Sequence, residues 1–163
     1  FSSADFSVWP TFLPFLLFYM AFVGACAGST GGGMKVIRVI LIIKHGFREI
    51  DKLIHPHAVI PIKLGNHRVP DRVLESVWGF FSVYVMVYMV MLLACLAVDM
   101  DITTAFTAVG ASINNLGPGL GEVAQNYGAI PDAAKWILCL GMLLGRLEVF
   151  TLLVLFSPHF WRS

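Results

Sequence analysis

Along the chain, long apolar runs alternate with short charged ones. Val77 to Val98, VWGFFSVYVMVYMVMLLACLAV, is 22 residues without a charge. At helical rise that is about 33 Å, enough to cross a hydrocarbon core of roughly 30 Å. Trp136 to Phe156 is also long enough to span, but carries Arg146 and Glu148 near its middle. Phe12 to Val23 is apolar for only 12 residues; a glycine-rich stretch follows, and MKVIRVILII then resumes to Ile43. Neither half can cross alone, so the pattern predicts one crossing broken at 24–33, with the glycines at membrane depth. Ile102 to Ile113 is a semi-apolar stretch of 12 residues, the length of a re-entrant or interfacial segment. Asp99 and Asp101 stand before it, where acids favour a helix start.

Composition supports a lipid environment. Of 163 residues, 58% are hydrophobic and 13% charged, against about a quarter charged in ordinary soluble domains. The predicted class is an all-α membrane protein with several spans. A net charge of +1 gives no electrostatic case for nucleic acid. Cys26, Cys95 and Cys139 lie in apolar runs at spacings that suit neither a zinc site nor a disulfide framework. The opening FSSADFSVWP has no basic region and no Met, and is expected to be a cut through a longer protein.

Lys44, Arg48, Lys52, Lys63, Arg68 and Arg72 crowd residues 44–72, whereas residues 99–132 carry no Lys or Arg. The positive-inside rule therefore places 44–72 in the cytoplasm, the 99–132 segment and Phe1 outside, and the C-terminal HFWRS inside.

Two stretches invite a chemical reading. CAGSTGGGMK, Cys26 to Lys35, resembles a phosphate cradle, but Met34 separates Gly33 from Lys35 and Val36 stands where Ser or Thr would be needed. NNLGPG, Asn114 to Gly119, follows the short helix directly, and its glycines and proline forbid continued helix. A helix entering from outside and ending midway points its carbonyl end at the membrane centre, a place to hold a desolvated cation. Extended backbone at that depth survives where it lines a water-filled path or is buried in protein, and carbonyls can replace an ion's hydration shell. An external loop with ordinary turn chemistry is the alternative.

GACAGSTGGGMKVIR, SINNLGPGLGEVA and LLGRLEVFTLLVLFSPHFWR, in that order, resemble the C-terminal part of the Trk/Ktr/HKT potassium transporters, closest to the bacterial Trk membrane subunit. The resemblance implies potassium-channel-like units of helix, re-entrant pore helix with filter, and helix, four to a polypeptide around one pore. It assigns 1–44 to the end of the third unit, 45–76 to a cytoplasmic basic connection, and 77–163 to the fourth unit. Within that unit lie a helix at 77–98, the pore helix and filter at 102–119, and a helix at 136–156. Phe1 would be the last residue of the third filter. Asn114, Asn115, Leu116, Gly117 and Pro118 would form the fourth, with Gly117 as its selectivity glycine. Gly28, Ser29, Thr30, Gly31, Gly32 and Gly33 would be an intramembrane gating loop beneath the filter. Arg146 would be a fixed positive charge in the pore below it, throttling cation flux or anchoring the loop.

The resemblance further implies K+ as the transported ion, no cofactor and no bond chemistry. It places a homodimer of the full-length chain in the bacterial inner membrane, in contact with lipid, and gives it a cytosolic nucleotide-binding regulatory subunit (TrkA-like).

Other readings stay open from the residues alone. The glycines could serve close helix packing, and Arg146 could pair with an acid elsewhere, though not with Glu148, about 200° round the helix. Lys35 and Arg38 suit snorkelling towards the cytoplasmic face. His55 and His57 are too few ligands for a metal site. Ser29 in a membrane segment suggests an intramembrane serine protease, but His45, His55, His57 and His67 fall in the cytoplasmic loop and His159 at the C-terminal end, leaving no histidine base at depth. A non-conducting structural subunit is the third class.

Overall fold

The computed structural model describes residues 9–10, 12–24, 26 and 32–147. Among the described residues its regular structure is helical except for one hairpin of two-residue strands. The helices are α1 (Phe12–Val23), α2 (Val36–Ile54), α3 (Asp71–Leu96), α4 (Ile102–Ile113) and α5 (Asp132–Arg146). The hairpin pairs β1 (Lys63–Leu64) with β2 (His67–Arg68), and Gly65 turns it with φ +61°. A 3-10 turn, Gly121–Val123, lies between α4 and α5.

The expected span at 77–98 corresponds to α3, which ends at Leu96 and begins earlier, at Asp71, because Pro70 pre-sets the entry and Asp71 occupies the first turn. At 26 residues α3 is about 39 Å long. Only 28% of its most apolar window is buried. A core helix of a soluble domain would be mostly covered; here Met86, Met89, Val90 and Leu93 all stand more than half exposed on the uncharged part of the helix that follows Glu75.

The basic connection at 45–76 is helical at both ends, since α2 continues to Ile54 and α3 starts at Asp71. Past Ile43, α2 is amphipathic. Phe47, Ile50 and Ile54 form an exposed apolar stripe, while its polar residues reach α3 and their own neighbours. Arg48 donates to Asp71 at 2.8 Å, and Trp78 Nε1 donates to His45 Nδ1 at 3.0 Å. Lys52 donates to Glu49 at 2.9 Å, and that bond holds the Glu49 carboxyl below its usual pKa. Arg38, expected to snorkel, lays its guanidinium over the Phe80 ring, 4.1 Å from the centroid.

The short helix α4 sits at the centre of the molecule, against α1, α3 and α5. Of residues 104–113 only Phe106 is not buried. Small side chains make this possible: Ala105, Ala108 and Ala111 are fully buried, and Gly110 lies directly under the Phe18 ring. Asp101 caps α4, accepting from the Thr103 and Thr104 amides at 3.0 and 3.3 Å, as the acids before the segment predict. The other acid, Asp99, adopts φ +60° in the turn between α3 and α4.

The expected helix at 136–156 is described from Asp132 to Arg146, and 148–156 lie outside the described residues.

Candidate functional site

The site is built where α4 ends. Asn114 is its C-cap, and Asn115 follows with φ +53°. The Leu116 amide donates to the Ala111 carbonyl at 2.9 Å and the Asn115 amide to Ser112 at 3.1 Å. This is a Schellman cap with asparagine in the left-handed position. It explains the second asparagine, and it modifies the expectation of an open carbonyl end. The Ala111 and Ser112 carbonyls are taken up by the cap, while those of Ile113 and Asn114 take no part in it.

Those two carbonyls meet glycines from both neighbouring segments. A methyl group on Gly145 of α5 would run into the Ile113 carbonyl oxygen and come within 2.8 Å of the Asn115 side-chain nitrogen. A methyl group on Gly32, at the glycine-rich break, would run into the Asn114 carbonyl oxygen. Gly33, at φ +85°, lies against Gly24 and the Asn114 side chain. The break folds back on itself here, as the Met34 amide donates to the Phe22 carbonyl at 3.2 Å and brings the start of α2 beside the end of α1. Gly28, Ser29, Thr30 and Gly31 lie outside the described residues, so only Gly32 and Gly33 of the predicted loop are placed, and both touch Asn114.

Hydroxyl groups hold the extended segment that follows. Tyr84 of α3 donates to Asn114 Oδ1 at 2.8 Å, and the Asn114 amide nitrogen is buried without a hydrogen-bond partner among the described residues. Gly117 adopts φ +101°, a conformation side chains resist, and its carbonyl accepts from the Tyr127 hydroxyl at 2.6 Å. Thr107 Oγ1 accepts from the Leu120 amide at 2.9 Å and donates to Thr103 within α4. The side chains of Leu116 and Pro118 line an apolar cavity of about 220 Å³ shared with Phe18 of α1. Arg146 is exposed in the last turn of α5, next to Gly145 and so level with the end of α4.

The structure thus brings Asn114 against Gly32 and Gly33, and Asn115 against Gly145, the sequence neighbour of Arg146, with Gly117 following in the same segment. Sequence reasoning missed Tyr84, Tyr127, Thr107 and Gly145. Gly145 had a visible signal, as a glycine beside an arginine in an apolar run; the hydroxyl residues had none beyond their polarity in apolar surroundings.

Comparison with known proteins decides the family. The family model for TrkH, described as a cation transport protein, matches residues 1–163. The chain belongs to the TrkH family. It is 60% identical over its whole length to the Trk system potassium uptake protein TrkH of Halomonas elongata, and 57% identical to that of Escherichia coli. The crystal structure of the potassium transporter TrkH from Vibrio parahaemolyticus superposes with a TM-score of 0.90 at 55% identity, over 99% of this chain. In each case the chain spans 34% of the relative's own length. The relatives are transport proteins by name, and the protease reading built on Ser29 finds no support among them.

Proposed function

We propose that this chain forms part of a potassium-uptake protein of the bacterial inner membrane, and that the segment Asn114–Pro118 supplies one wall of its ion filter. The carrying observation is the Gly117 backbone at φ +101° in an extended segment directly after a buried, capped 12-residue helix. Such backbone at membrane depth needs a structural reason, and carbonyls facing an ion path provide one. The names of the relatives support potassium as the ion. The glycine-rich break acts as the gate, because Gly32 and Gly33 abut Asn114 without intervening side chains and can move against it. Arg146 contributes a fixed positive charge below the filter. The whole protein works as a homodimer with a cytosolic nucleotide-binding subunit at the basic face of α2 and the hairpin. Translocation proceeds by dehydration at the filter and opening of the loop, without bond chemistry.

Rubidium and sodium uptake by the full-length protein, in cells lacking their own potassium uptake, tests this against Gly117→Ser. A serine at φ +101° is strained wherever its side chain points. Rubidium uptake that weakens or admits sodium on substitution is the expected result. Background uptake, or no change with the protein in the membrane, would return the chain to a structural role.

A further inference from the structure

The peptide joining Gly117 to Pro118 has an unusual weakness. Pro118 has no N–H, so the carbonyl oxygen of Gly117 is the only polar handle on this peptide plane. The proline ring fixes φ of Pro118, so the direction of this oxygen follows ψ of Gly117. That angle is loosely restrained in a residue without a side chain, and a donor on the oxygen holds it.

One donor does. The Tyr127 hydroxyl donates to the Gly117 oxygen at 2.6 Å, ten residues further along the chain. Tyr127 is well placed to act as an anchor, because its ring packs partly buried against the central core cluster of α3, α4 and α5. The segments on either side are held separately. Asn114 is bonded to Tyr84, and the Leu120 amide to Thr107, so neither bond fixes the 117–118 plane.

We propose that Tyr127 is a positioning residue for ion selectivity, fixing the Gly117–Pro118 peptide so that the filter keeps one arrangement of carbonyls. This rests on the reading of Asn114–Pro118 as filter. A filter that discriminates a larger ion from a smaller one must resist closing around the smaller, whether by cavity size or by the number of carbonyls it can bring to bear. Removing the Tyr127 hydroxyl releases ψ of Gly117 and lets its carbonyl tilt, and the smaller ion gains most from that freedom.

The test is Tyr127→Phe in the full-length protein, with rubidium and sodium uptake measured side by side in cells lacking their own potassium uptake. The expected result is a rubidium-to-sodium ratio lowered about fivefold, the factor one ordinary hydrogen bond contributes, with rubidium uptake retained. A merely structural role would lower both ions together and leave the ratio unchanged, which would overturn the proposal. Replacing Tyr127 by 3-fluorotyrosine keeps the hydroxyl and decides the matter where the Phe variant fails to reach the membrane. The ratio should then hold or rise, and a fall would overturn the proposal. An unsubstituted protein that takes up no rubidium would overturn the transport reading itself, and this assignment with it.

Discussion

Three helical glycines give a graded test of how closely α5 sits on the end of α4. Alanine is favoured over glycine inside a helix by about 1 kcal/mol, so Gly→Ala should stabilise wherever the methyl group finds space. Gly46 in α2 has nothing within 4 Å of the added carbon, and Gly46→Ala should gain up to that amount. At Gly141 the methyl meets the end of the Met91 side chain, with its sulfur at 3.3 Å. A thioether can swing aside, so Gly141→Ala should be close to neutral.

Gly145 differs in kind, since its methyl group meets the Ile113 carbonyl and the Asn115 side-chain nitrogen. A backbone carbonyl cannot rotate out of the way without moving α4. Overpacking of this sort costs about 1–3 kcal/mol, which outweighs the propensity gain, smaller still in the last turn of a helix. Gly145→Ala should therefore fall about 2 kcal/mol below Gly46→Ala. Melting of the detergent-solubilised full-length protein, followed by size-exclusion chromatography, gives the ranking. Rubidium uptake should fall in Gly145→Ala alone, because the carbonyl it displaces stands at the start of the proposed filter segment. A Gly145→Ala protein as stable as Gly46→Ala, with unchanged uptake, would refute the close approach of α5 to the end of α4.

Two further outcomes follow from the same geometry. Arg146→Ala should raise rubidium flux in the full-length protein, because it removes a fixed positive charge level with the end of α4; lower or unchanged flux at normal expression would count against the throttle. Asp101→Ala should cost about 1 kcal/mol by leaving the Thr103 and Thr104 amides uncapped, seen as a lower melting temperature, and Asp101→Asn should recover most of the loss.

Much of this architecture is legible in the sequence because lipid and helix geometry leave few options. A run of 22 uncharged residues and a 12-residue segment bounded by Asp101 and Asn114 leave few arrangements, and the bounds of α1 and α4 agree with the pattern residue for residue. The continuation of α2 to Ile54 was harder to see. Charged residues there read as loop, although Phe47, Ile50 and Ile54 keep helical spacing on one face. The site divides along the same line. Glycines and prolines announce themselves because they restrict or free the backbone they belong to. A hydroxyl acts on groups elsewhere in the chain: Tyr84 lies 30 residues from the Asn114 side chain it bonds, Thr107 13 from the Leu120 amide, and Tyr127 10 from the Gly117 carbonyl. No local pattern records such a bond. The segment after α4 is thus specified twice, by its own residues, which allow its non-helical conformation, and by three distant side chains, which select it from the others that glycine and proline permit.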